Sequence, residues 1–271
     1  MTKHDLIGVR RSAFGVALAL ATISSSVLAA DLGARAPVAF TQAPAYVPVS
    51  NWTGLYIGGN VGYGWGNNSG VTAFATPVST ILPNNFVVDP QPKGVLGGGQ
   101  IGYNWQIGSI VTGIEADIQG ASIRGSRSAL FPFGPAVTAP PVQFASADEK
   151  LSWFGTVRGR LGATVTPVLL VYATGGLAYG HVNKSDNSAP DLFPGDAFPV
   201  VLSKTQVGWT AGAGAEWMFA GHWSLKAEYL FIDLGKVSGT SPVNVNLGNV
   251  VTYNSKTQDN VARFGVNYHF N

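Results

Sequence analysis

Eight charged residues stand out in a chain where charge is scarce, because their spacing is regular. Glu115 and Asp117, Arg158 and Arg160, and Lys226 and Glu228 each lie two residues apart, while Glu216 and Arg263 stand alone. A spacing of two puts both members of a pair on one face of a β-strand. The opposite face is apolar in every case. Ile114, Ala116 and Ile118 alternate with the first pair, Val157 and Leu161 with the second, Ala215 and Trp217 with Glu216, Ala227 and Tyr229 with the third pair, and Ala262 and Phe264 with Arg263. Four acids face four bases. A set so balanced can neutralise itself only if the fold gathers all eight, since an unpaired buried charge is costly. The expected chemistry is an ion-pair network, with an ion-selective path as the other use of the same groups.

Other signals point to no catalytic or cofactor site. Gly97, Gly99 and Gly102 match G-x-G-x-x-G, but a dinucleotide site needs a helix after the glycines. Here they lie inside a continuing strand pattern that ends at a two-residue turn, where glycine relieves crowding. The four histidines (His4, His181, His222 and His269) are far apart and show no metal spacing. There is no G-x-S-x-G motif, and no nucleophile–base–acid set can be assembled. With no Cys, disulfides, Cys-based zinc sites and thiol nucleophiles are excluded.

These charges belong to a chain of unusual composition. Charged residues make up 11% of 271 residues, against about 25% in an ordinary globular domain. The chain holds 35 Gly, aromatics are 11%, and mean hydropathy is positive. Only one apolar run is long enough to consider, Ala13 to Ile23, and it is too short to span a bilayer. Lys3, Arg10 and Arg11 precede it and Val27–Ala29 follow as a small-x-small site, so residues 1–29 read as a signal peptide cleaved after Ala29. That leader carries the whole formal surplus of +2, leaving the rest near neutral and giving no basic footprint for nucleic acid. Residues 30–50, rich in Ala and Pro, read as an extended linker.

From Asn51 onward the chain alternates with period two. Leu55, Ile57, Val61, Tyr63 and Trp65 oppose Gly58, Asn60, Gly62 and Gly64; Val95, Ile101, Tyr103, Trp105 and Ile107 oppose Gln100, Gly102, Asn104 and Gln106. Further strands are expected near 110–122, 149–163, 168–182, 205–219, 222–234 and 257–270, eight in all. Each exceeds the roughly 9–11 residues a tilted strand needs to cross a membrane. The links alternate strictly. Residues 67–93, 123–148, 183–204 and 235–256 read as long loops; 108–109, 164–167 and 220–221 are short turns. Long–short alternation over an even strand number is the pattern of an outer-membrane barrel with both termini on the periplasmic side.

This predicts an all-β, eight-stranded antiparallel up-and-down transmembrane barrel over residues 51–271, with the eight charges in the lumen. Eight strands leave room for little more than side chains, so a plugged lumen is expected. Trp52, Trp65, Trp105, Trp153, Trp209, Trp217, Trp223 and Tyr268 fall near strand ends and are expected to form two aromatic girdles, joined by Tyr63, Tyr103, Tyr179, Tyr229 and Phe231.

The stretch "NWTGLYIGGNVGYGWG", following a signal peptide and an Ala/Pro linker, resembles the opening of small alphaproteobacterial outer-membrane proteins, the OmpA-like "porin family" of rhizobia and their relatives. "GGGQIGYNWQIGSIVTGIEADIQG", "WFGTVRGRLGATV", "VYATGGLAYG", "GWTAGAGAEWMFAGHWSLKAEYLFIDLG" and "VARFGVNYHF" resemble its successive strands. The resemblance implies location in the outer membrane, lipid and lipopolysaccharide as surroundings, and delivery by the barrel-insertion machinery. Barrels of this kind end in an aromatic residue that the machinery reads. Phe264, Val266, Tyr268 and Phe270 supply the alternation, but Asn271 follows, a departure that bears on insertion efficiency. No globular segment follows the eighth strand, so tethering to the cell wall is not expected.

The functional expectation is a monomeric, non-enzymatic structural and surface protein that needs no cofactor. A small porin is the alternative, and a haemin- or ligand-binding surface receptor the second alternative. A barrel-type protease or acyltransferase is the minor enzymatic reading.

Overall fold

Alternating apolar and small residues have one stable solution in lipid, a sheet closed on itself so that no edge is left unpaired. The computed structural model describes residues 51–66, 70–75, 85–132, 142–190, 198–240 and 250–270, and the leader and linker expected over 1–50 lie outside them. Ten strands form: β1 (Gly54–Gly66), β2 (Gly70–Ala75), β3 (Asn85–Val88), β4 (Lys93–Ile107), β5 (Ile110–Pro132), β6 (Val142–Thr166), β7 (Leu169–Pro190), β8 (Phe198–Ala220), β9 (Trp223–Thr240) and β10 (Val250–His269). Eight of them, β1 and β4 to β10, make the ring. Each pairs antiparallel with its neighbours, and β1 closes on β10 from Tyr56↔His269 to Gly66↔Asp259. The eight expected strands are these eight.

The expected loops are shorter than the links read from the sequence. β5 through β8 run for 22 to 25 residues, so much of 123–148 and 183–204 is strand, as is the start of 235–256. Within 67–93, β2 pairs with the upper part of β10, and β3 pairs with β2. The reason is a change of solvent. Beyond the membrane many outward positions become polar (Ser126, Ser128, Asp148, Asn183, Ser185) while backbone pairing continues, so the regular hydrophobic alternation ends before the strand does.

At the opposite end the turns are tight. Gly108, with φ of 61°, turns β4 into β5, and Gly221, with φ of 50°, turns β8 into β9. Both lie in the left-handed region that favours glycine.

Parity sorts the side chains. Leu55, Ile57, Val61, Val95, Ile101, Ile114, Ile118, Val157, Leu161, Val207 and Phe264 are exposed around the outside of the ring. The belt from Leu55 to Trp65 rises over ten residue steps of β1, about 25 Å for a strand tilted by roughly 40°, which matches the apolar band of an outer-membrane barrel. Inside, bulk and absence of bulk alternate. A Cβ on Gly214 would stand 2.5 Å from Tyr172 Oη and 2.7 Å from the Ala227 carbonyl oxygen, so no larger residue fits there.

Two outcomes are expected. The folded chain should migrate on SDS gels at a different mobility before and after boiling, and identical mobility would overturn the barrel. Gly214→Val should abolish that heat-dependent shift, because neither the buried tyrosine nor the β9 backbone can retreat.

Candidate functional site

The ring brings all eight predicted charges together in its interior, and every one of them is buried. Strand register sets up the first contacts. Glu115 of β5 lies directly opposite Arg158 of β6, and Glu228 of β9 opposite Arg263 of β10. Most of the remaining pairs reach across the lumen. Arg158 forms an ion pair with Glu115, places Nη2 2.9 Å from Asp117 Oδ2, and sets Nη1 3.1 Å from Glu228 Oε1. Arg263 Nη2 lies 2.5 Å from Glu228 Oε2 and 3.1 Å from Asp117 Oδ2. Lys226 Nζ is 2.7 Å from Glu115 Oε2. Arg160 pairs with Glu216 nearer the short-turn end.

Polar residues that sequence reasoning missed complete the network. Tyr56 donates its hydroxyl to Glu115 at 2.7 Å, Tyr172 to Glu228 at 3.0 Å, and Thr156 to Asp117 at 2.6 Å. Glu216 accepts from Ser224 at 2.6 Å and from Asn267 at 2.7 Å, with His269 Nε2 at 3.2 Å. The Arg160 guanidinium carbon stands 3.6 Å from the centre of the Tyr172 ring, a cation–π contact. The signal for these residues was their inward parity; what was missing was which of them would meet across the lumen.

Apolar clusters flank the network on both sides, with buried polar residues such as Gln119, Ser224 and Asp259 directly opposite some of their members. Toward the short turns, Trp52, Val111, Leu170, Tyr172 and Met218 pack together. Toward the long strands, Leu96, Ile123, Leu151, Phe154, Val182, Leu230, Ile232 and Val261 form a second layer. Beyond that layer a separate ion pair, Lys184 with Glu149 at 3.0 Å, faces inward, with Lys184 in a stretch first read as loop. The interior is therefore stacked as apolar, ionic, apolar and polar.

Trp52 corrects the girdle reading. It is fully buried, donates its indole N–H to the Pro167 carbonyl oxygen at 3.3 Å, and meets His269 edge-on with ring centroids 5.7 Å apart. It precedes the first strand residue, so strand parity does not hold it outward, and the chain folds its ring over the mouth of the barrel. The other girdle residues lie on the outside. Trp105, Trp217, Trp223 and Tyr268 stand toward the short turns, with Trp223 and Tyr268 in edge contact at 5.1 Å. Trp65, Trp153 and Trp209 stand toward the long strands, beside Tyr63, Tyr179 and Phe231. Phe264, Val266, Tyr268 and Phe270 all point outward, while Asn271 lies outside the described residues.

The network's energetics allow a quantitative expectation. Removing one member of a buried ion pair costs about 3–5 kcal/mol, because the other charge is left behind. Glu216→Ala leaves the Arg160 guanidinium without a carboxylate and should lower unfolding free energy by about that amount, read by tryptophan fluorescence in a urea titration of the lipid-embedded chain.

The chain matches known proteins along nearly its whole length. The family model for an outer membrane protein β-barrel domain aligns with residues 16–270. The chain is 40% identical over 256 residues to a 31 kDa outer-membrane immunogenic protein of Brucella melitensis, covering 92% of this chain and 96% of that one. It is 31% identical over 186 residues to a 22 kDa outer membrane protein of Rhizobium leguminosarum bv. viciae, covering 69% and 66%. Among solved structures it aligns with the outer membrane protein OprG of Pseudomonas aeruginosa over 81% of this chain and 98% of that one, with 11% identity and a TM-score of 0.47.

Proposed function

The chain belongs to the outer-membrane β-barrel family, and from that premise we propose that it serves the outer membrane as a closed, non-catalytic structural and surface protein. The observation that carries this reading is the stacking of the interior. A charged layer without net charge lies between two apolar layers, and the short-turn layer includes a tryptophan seated across the mouth. Ions cross a pore along continuous polar or hydrated surface, and a dry apolar layer is a barrier to them. The porin alternative needs such a path through both layers. The eight charges then act as internal mortar. Each acid is held by at least one base, the tyrosine and threonine hydroxyls take up further lone pairs, and the wall is braced from within.

The long strands carry the wall well past the membrane and hold the extracellular segments away from the lipid surface. Display of those segments is the surface half of the role.

Single-channel recording in planar bilayers tests the proposal. The folded chain should give no discrete conductance steps above the bare membrane. Regular steps whose size changes on Arg158→Ala or Glu115→Ala would overturn the plug and favour the porin. Trp52→Ala should leave the membrane just as silent, because the second apolar layer remains in place.

A further inference from the structure

Three cations on the outer wall have no partner among the described residues. Lys93, Arg124 and Lys150 form a row across adjacent strands: Lys93 of β4 is directly opposite Arg124 of β5, which is directly opposite Lys150 of β6. All three side chains point outward, Lys93 and Arg124 exposed and Lys150 half-buried. Directly opposite side chains sit about 5 Å apart, and like charges so placed repel. Among the described residues none of the three side chains makes an ion pair or a hydrogen bond, in contrast to the four bases of the ionic layer, each of which is paired. The nearby carboxylates are Asp148, one step further from the membrane on β6, and Asp89 before β4; neither bonds to the row.

The level of the row is informative. Lys93 is directly opposite Trp65 and two residues from the exposed Val95, and Lys150 lies three residues beyond Trp153 on β6, so the row starts at the far aromatic girdle and runs outward from it. That is the depth at which acyl chains give way to headgroups. Beside the row, an open groove of about 410 Å³ is lined by Arg124, Ser126, Asp148, Lys150, Asn183 and Ser185, which adds hydroxyl and amide groups to two of the cations. Arg124 can grip phosphate with two parallel N–H donors, and a lysine on each side supplies point charge.

We propose that Lys93, Arg124 and Lys150 form a docking site for the phosphate of an anionic glycolipid in the outer leaflet, with the headgroup reaching into the groove toward Asn183 and Ser185. The anion relieves the like-charge row, and the girdle beneath it holds the acyl chains alongside. The site rests on the barrel standing in the outer leaflet with its long-strand end outward, and it is independent of whether the lumen conducts.

The test uses the full chain folded in mixed micelles containing lipid A, with bound lipid counted by native mass spectrometry. The wild-type chain should retain lipid A, and the triple variant Lys93→Ala, Arg124→Ala, Lys150→Ala should lose at least tenfold in apparent affinity. Lipid A stripped of its phosphates should bind the wild type as weakly as intact lipid A binds the variant. Inorganic phosphate at matched concentration should not displace the lipid, and displacement would overturn the commitment to a lipid. Lys236→Ala, an outward lysine on β9, should change nothing; an equal loss there would reduce the effect to general surface charge and overturn the site. Unchanged binding by the triple variant would overturn it as well. The heat-dependent gel shift shows that each variant is folded, and if the triple variant fails to fold, Arg124→Ala alone provides the same reading with a smaller loss.

Discussion

Hydrocarbon offers no hydrogen bond to a peptide group, so every N–H and C=O of a spanning strand must find its partner in another strand. Here that requirement is met by the pairing of β1 with β10, which turns an eight-stranded sheet into a ring with no open edge at membrane depth. Much else follows from closure. Eight strands fix a narrow interior, and a narrow interior must be filled by side chains that interlock. The inward Gly102 and Gly214 are the spaces into which Tyr56 and Tyr172 fit.

The same closure separates two chemistries by parity alone. One face of each strand meets lipid and is apolar with aromatic ends. The other meets only its own kind across the lumen, where a charge is tolerated if its counter-charge arrives from another strand. The ionic layer draws its acids from β5, β8 and β9 and its bases from β6, β9 and β10, so it ties together strands that are not neighbours. A sheet held by backbone bonds alone could shear between strands; cross-lumen pairs resist that movement. The apolar layers on either side keep water from competing for those pairs, which strengthens them.

Much of this was legible in the sequence, because period-two alternation is a direct consequence of a wall with lipid outside. The eight ring strands, the three tight turns and the inward parity of Glu115, Asp117, Arg158, Arg160, Glu216, Lys226, Glu228 and Arg263 all follow from it. Strand length was not legible. At Ser126 and Ser185 the outward solvent is water, so polarity no longer marks the face although pairing persists. Trp52 was read as a girdle residue from its ring and its place near a strand end, but it stands outside the ladder and turns inward. Tyr56, Tyr172 and His269 have inward parity, yet their partners depend on which strands face one another across the ring, and alternation carries no information about that.

The place of Arg263 in the chain has a consequence for assembly. It lies on the last strand, and it contacts Glu115, Asp117 and Glu228 on strands made earlier. Until β10 docks against β1 and β9, the ionic layer holds four carboxylates against three bases, and in an unfinished barrel that layer carries a net negative charge. Charge balance and edge closure are therefore reached in a single event. A partly zipped ring is penalised twice, and the final step is made cooperative.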